Sequence, residues 1–275
     1  MRRRPQPQHH AARFFLGAAA VLFVLAGVIG LGSLLHTHAA EWGLTAPAAT
    51  ASTARQKKRA PLADKPAAKR WSDFSARRPF VYTALGDSLA AGYFATASSR
   101  GYVAQVAQQV KTQQHVPVTV HNFSENGGSI NTVAFPQLTE IYNTQPDLVT
   151  IEFGTNESVY DDPPHSATPA KFEKNLRKLI SDLRANTHAR IVLLTTWNQP
   201  RSLTYDARIQ AVAKADHLPV ANLQPIWQQA QQNGALSVKG AASFLGYGDG
   251  FHPSDTGHTL IARAVYQQVK PLFTP

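Results

Sequence analysis

From residue 80 onward, the apolar positions of this chain follow two periods that take turns along it. Runs rich in β-branched and aromatic residues predict strands over 80–85, 116–123, 148–153, 189–196 and 219–223. Between them, apolar residues three and four apart predict helices over 102–110, 130–142, 169–183, 203–215 and 226–232, and a last helix from near Ser254 to 269. Tyr102, Val106 and Val110 share one helical face, and Phe172, Leu176, Leu179, Ile180 and Leu183 form a stripe on another. Pro136 interrupts the 130–142 pattern, and residues 161–165 read as a polar loop. The unbroken run Ile191-Val192-Leu193-Leu194 suits a strand covered on both faces. Strands alternating with helices in this way predict an α/β fold, a parallel sheet with helices on both sides.

The first 78 residues follow neither period. Arg2, Arg3, Arg4 and Arg13 precede residues 14–35, a run of 22 without an ionisable side chain. Such a run is long enough to cross a hydrocarbon core of about 30 Å as a helix. The arginines favour a cytoplasmic tail over 1–13 and an extracytoplasmic domain. A cleaved signal peptide is the alternative, with Thr37-His38-Ala39 as a weak cleavage site, but the length of the run favours an uncleaved single-pass anchor. Residues 36–78 are rich in Ala, Pro, Thr, Ser and basic side chains and read as a disordered linker. The cluster at 55–59 and Arg77-Arg78 are of a kind that anionic lipid or envelope polymers attract, although a solvated linker is the simpler reading. The folded domain is then expected over 79–275.

Charge sharpens this division. The formal net charge is +10, yet residues 1–78 hold 13 Lys and Arg against 3 Asp and Glu, while 79–275 hold 14 of each. The expected domain is therefore neutral, which argues against a nucleic-acid partner bound through a basic face. With no cysteine, disulfides and thiolate metal sites are excluded.

The chemistry of the chain starts where the first strand ends, at Gly86-Asp87-Ser88-Leu89. A serine there stands at the carboxyl edge of a parallel sheet, where open α/β folds bind ligands. Gly-Asp-Ser alone is a weak signal, and the Gly-x-Ser-x-Gly elbow is missing. The far end of the chain supplies what a nucleophilic serine needs. Asp249 and His252 lie three apart before the last helix, so His252 can take the proton of Ser88 while Asp249 fixes its ring. By itself His252 would read equally as a surface or helix-capping histidine, and Asp87 as a turn residue. Donors for an oxyanion are available in the Ser88 N–H, in Gly127, which has no side chain in the way, and in the Asn156 amide after the third strand.

Four blocks in order make the chain resemble the GDSL-type, or SGNH, superfamily of serine esterases and lipases. They are Gly86-Asp87-Ser88-Leu89, Asn122 with Gly127, Gly154-Thr155-Asn156-Glu157, and Asp249-Gly250-Phe251-His252-Pro253. The resemblance covers about residues 79–272. It implies a three-layer α/β/α sandwich on a flavodoxin-like, five-stranded parallel sheet. It also implies Ser88, Asp249 and His252 as catalytic residues and Ser88, Gly127 and Asn156 as the oxyanion hole. Two positions depart from the family pattern: Ser124 replaces a glycine of the second block, and Glu157 replaces the aspartate that ends the third.

The reaction so implied is ester hydrolysis through an acyl-enzyme on Ser88, with no cofactor and no metal. His165, His188, His217 and His258 are scattered singly and read as surface or helix residues. Tyr93, Phe94, Trp197, Tyr247 and Phe251 fall near sheet ends or catalytic loops, where they line a pocket or serve as ordinary core aromatics. A lipid, a small ester or an O-acetylated glycan all fit as substrate. Acyl transfer by the same serine and a non-catalytic envelope-binding role are the competing readings.

Overall fold

Gly86, Ser124 and Glu152 stand side by side at the carboxyl ends of three adjacent parallel strands, β1 (Phe80–Gly86), β2 (Val118–Ser124) and β3 (Leu148–Glu152). The computed structural model describes residues 78–273, which lie within one compact unit. With β4 (Arg190–Leu194) and β5 (Val220–Ala221) the strands form a five-stranded parallel sheet in the order β2-β1-β3-β4-β5. The chain reverses its direction of winding between β1 and β3, and in doubly wound sheets ligands bind outside the strand ends at such a switch point.

Strand periodicity sorts the core into two layers. Tyr82, Ala84, Leu148, Val192 and Leu194 face α2 (Tyr102–Gln113) and α8 (Asp255–Val269) on one side of the sheet. Leu85, Val149, Ile151, Ile191 and Leu193 face α5 (Pro169–Asn186) and α6 (Leu203–Asp216) on the other. Each fully buried Leu or Ile of these layers contributes about 1.5–3 kcal/mol. The predicted stripe of α5 is buried as expected, and the helix starts where Thr168 caps the N–H of Lys171 ahead of Pro169.

The elements that differ from expectation are short. Residues 130–142 do not form one helix: a π-helical turn over Ile130–Ala134 is followed by α3 (Leu138–Asn143). Pro136 sits between them, unable to donate a backbone hydrogen bond and in conflict with the carbonyl four residues back. One-turn helices α1 (Ser88–Ala91) and α4 (Thr155–Val159) occupy stretches the sequence reads as loops. After α7 (Gln224–Gln228), a small hairpin of β6 (Ala242–Ser243) and β7 (Gly246–Tyr247) interrupts the path to α8.

The single-pass membrane anchor is withdrawn. Among the described residues no helix is long and apolar enough to cross a membrane, and the apolar run at 14–35 that suggested one lies outside them. The membrane partner and membrane placement inferred from that run go with it. Most of the basic linker, including 55–59, also lies outside the described residues. Arg78, read as part of that basic linker, instead makes a two-pronged ion pair with Asp147 at 2.6 and 2.7 Å. Asp147 also accepts from the Val81 N–H at 2.8 Å, so the pair pins the start of β1 to the approach to β3.

Candidate active site

Ser88 is the first residue of α1, directly after β1 and Asp87. Its Oγ lies 2.8 Å from His252 Nε2, across 164 residues of sequence. His252 Nδ1 lies 2.7 Å from Asp249 Oδ2. With the serine hydroxyl donating to Nε2, the ring proton sits on Nδ1 and donates to the carboxylate. Burial alone would push the Asp249 carboxyl up. The N–H groups of His252 and Phe251 on Oδ1, at 2.9 and 2.8 Å, and the His252 ring outweigh it and hold the group below its usual range.

The loop carrying Asp249 and His252 is clamped from outside. Ser237 Oγ donates to Asp249 Oδ1 at 3.2 Å and accepts from the N–H groups of Asp249 and Gly250. The Ser237 N–H donates to the His252 carbonyl at 2.8 Å, and Leu236 bridges to Pro253. Gly248 has to be glycine here, because a Cβ would collide with the Val238 carbonyl. The indole N–H of Trp197, a fully buried residue, donates to the Phe251 carbonyl at 2.8 Å.

Asn156 joins the three loops that leave β1, β2 and β3. Its side-chain amide donates to Asp87 Oδ2 at 3.0 Å and to the Gly128 carbonyl at 2.9 Å. Asp87 precedes Ser88, and Gly128 follows Gly127, so these bonds bring Asn156 to the loops that carry Ser88 and Gly127. Gly127 has φ +74, which favours glycine, and the Tyr160 hydroxyl lies 3.0 Å from where a Cβ would be. The Gly127 carbonyl is 3.0 Å from His165 Nδ1.

Both departures from the family pattern have structural work. Glu157 accepts from the Gly154 N–H and the Ile130 N–H, each at 2.9 Å, tying the third block to the segment after the second. Burial outweighs these bonds and pushes its carboxyl up to about 7. Ser124 donates to Asn122 Oδ1 at 2.8 Å, and the Asn122 amide donates to the Ala90 carbonyl at 2.7 Å, joining β2 to α1.

Of the aromatic candidates, Phe94 and Phe251 set their rings 5.0 Å from the imidazole of His252, and Tyr93 lies at 6.1 Å. Trp197 is core rather than lining, and Tyr247 projects from the hairpin, 73% exposed. His258, read from sequence as a surface or helix residue, is fully buried on α8. Its Nε2 donates to the Tyr93 carbonyl at 2.8 Å and its Nδ1 accepts from the Tyr102 N–H at 3.3 Å, which holds the loop after the nucleophile against the last helix. Burial keeps this ring neutral, lowering it to about 4. Its spacing with Ile261 and Val265 was the available signal, since all three share one helical face. Ser237 had no such signal. Among the described residues no three His, Asp or Glu side chains are grouped as a metal ion would require.

Proteins similar to this chain include esterases and lipases. Residues 84–260 match the GDSL-like Lipase/Acylhydrolase family. The uncharacterized protein YpmR of Bacillus subtilis (strain 168) is 24% identical over 222 residues, 69% of this chain and 81% of that protein. Among solved structures, a lipase/acylhydrolase from Enterococcus faecalis matches with a TM-score of 0.57 at 23% identity, covering 70% of this chain and 96% of that one. An acetyl-xylooligosaccharide esterase from Geobacillus Stearmophilus matches with a TM-score of 0.55 at 21% identity, covering 69% and 94%. The family match takes in more than half of the sequence and all four blocks. The chain belongs to the GDSL-like lipase/acylhydrolase family and is a serine ester hydrolase.

Proposed function

We propose that the chain removes a short acyl group from a carbohydrate ester, with Ser88 as nucleophile. The 2.8 Å contact between Ser88 Oγ and His252 Nε2 is the observation that carries the roles. As Oγ attacks the ester carbonyl, its proton passes to Nε2, and the imidazolium is stabilised by Asp249. The carbonyl oxygen becomes an oxyanion facing the Ser88 N–H, the Gly127 N–H and the Asn156 amide. His252 then returns the proton to the leaving alkoxide, which departs as the alcohol. A water deprotonated by His252 attacks the acyl-enzyme and regenerates Ser88 with release of the carboxylic acid.

Two observations favour a small acyl group on a sugar. Ser88 is only 5% exposed, and the Phe94 and Phe251 rings crowd the imidazole, which leaves little room for a long chain. One of the structural relatives is an esterase of acetyl-xylooligosaccharides. The test is an acyl-length series of aryl esters from acetate to laurate, beside acetate release from acetylated xylooligosaccharides. The expected result is a fall in kcat/KM of at least about tenfold from acetate to laurate, with turnover abolished by Ser88→Ala. A preference that rises toward laurate would assign the enzyme to lipid esters instead.

A further inference from the structure

Two acids lie buried beneath the nucleophile, and the reaction above uses neither. Asp87 is 1% exposed and Glu152 is 0% exposed. Glu152 ends β3 directly opposite Gly86, and its side chain reaches under that glycine. A Cβ at Gly86 would lie 2.9 Å from Glu152 Oε2, so the glycine of the nucleophile block leaves the space that Glu152 fills. Glu152 Oε2 accepts from the Asp87 N–H at 3.3 Å, which sets the two buried acids side by side.

The partners of the two acids are unequal. Asp87 accepts from the Leu89 N–H at 3.0 Å and from Asn156 Nδ2 at 3.0 Å, an acceptor-only pattern that suits a carboxylate. Glu152 has one long backbone bond, and its Oε1 has no partner. The other titratable groups facing the pair are His252, Glu157, Tyr82 and Tyr102, so no lysine or arginine among the described residues balances a second negative charge. Two ionised carboxylates in contact and out of water cost far more than a shared proton does. Burial also pushes both acids up, Glu152 the further.

We propose that Glu152 keeps its proton and donates it to the Asp87 carboxylate, and that this buried pair is the positioning element that holds the Asn156 amide beside Ser88. The inference rests on the serine-hydrolase reading for its kinetic consequence, but not for the location of the proton. Removing the Glu152 donor leaves Asp87 to take up a proton itself at higher pH, and a neutral Asp87 holds Asn156 less firmly.

The test uses the full chain and its Glu152→Gln, Glu152→Leu and Glu157→Gln variants. Infrared spectra at neutral pH are expected to show the carbonyl stretch of a protonated carboxyl that Glu152→Gln abolishes and Glu157→Gln leaves in place. With an aryl acetate, Glu152→Gln keeps kcat within about threefold, because its amide N–H still donates to Asp87. Glu152→Leu lowers kcat at least about tenfold at unchanged KM and moves the acid limb of the pH profile upward. A role in packing alone would lower the melting temperature without moving that limb. Absence of a Glu152-dependent acid band overturns the proposal, and so does wild-type kcat with an unmoved acid limb in folded Glu152→Leu. If the wild type turned over no ester, the hydrolase reading would fail, while the infrared band would still decide where the proton is.

Discussion

Asn156 donates its side-chain amide to Asp87 at 3.0 Å, so the residue expected to meet the oxyanion is anchored to the neighbour of the nucleophile. Its second proton goes to the Gly128 carbonyl at 2.9 Å. An incoming oxyanion therefore displaces or shares a bond that already aims the amide, and little reorganisation is left for the transition state. Asn156→Ala removes both the anchor and the donor. It is expected to lower kcat by about a hundred- to a thousandfold with a much smaller change in KM, measured by steady-state kinetics on an aryl acetate.

Ser237 acts one step further out. Its hydroxyl holds Asp249 through one donated and two accepted hydrogen bonds. Ser237→Ala frees the loop by roughly the worth of a hydrogen bond to a charged group, about 1.5–3 kcal/mol. If half of that reaches the transition state, kcat falls by about three- to twelvefold, and KM is not expected to move. Ser237→Thr, which restores the hydroxyl, is expected to recover most of the loss.

Glu157 is expected to matter for folding more than for turnover. It accepts two buried N–H groups, from Gly154 and Ile130. Glu157→Ala leaves both unsatisfied and is expected to cost about 2–5 kcal/mol in urea unfolding. Glu157→Gln keeps an acceptor oxygen and is expected to lose clearly less.

His258 makes stability depend on pH. Its ring must be neutral to bridge Tyr93 and Tyr102, and burial lowers it from 6.5 to about 4. Between those values the unfolded chain binds a proton that the folded one does not. The contribution of His258 is therefore complete above pH 6.5 and is lost as pH falls through 6.5 toward 4, by about 3 kcal/mol. The carboxyls raised by burial push the other way, so the quantity to measure is the difference in unfolding free energy between the wild type and His258→Gln. That difference is expected to shrink as pH falls across this window.

The sheet and its layers were legible because several strands have nearly continuous apolar cores and α5 an apolar stripe. Phe172, Leu176, Leu179, Ile180 and Leu183 show the rule, and all five are buried. The candidate site residues Ser88, Gly127, Asn156, Asp249 and His252 stood out in the sequence because they fall in loops after strands or just before a helix. Their supports did not. Ser237 reaches Asp249 across a loop that has no period, and the clamp at His258 depends on two backbone groups that carry no sequence mark. Glu152 was visible only as an acid at the end of a buried strand, a conflict whose meaning depends on the parallel register that sets it against Gly86. The one-turn helices α1 and α4 are too short for any periodicity to announce.

Everything proposed for this site depends on Ser88 being an activated nucleophile driven by His252. The most direct measurement is the intact mass of the full chain before and after a fluorophosphonate, with the adduct mapped by peptide. One adduct on Ser88, absent in Ser88→Ala and strongly suppressed in His252→Ala, is expected. A folded protein that takes no adduct, takes one elsewhere, or labels Ser88 as fast without His252 would contradict it.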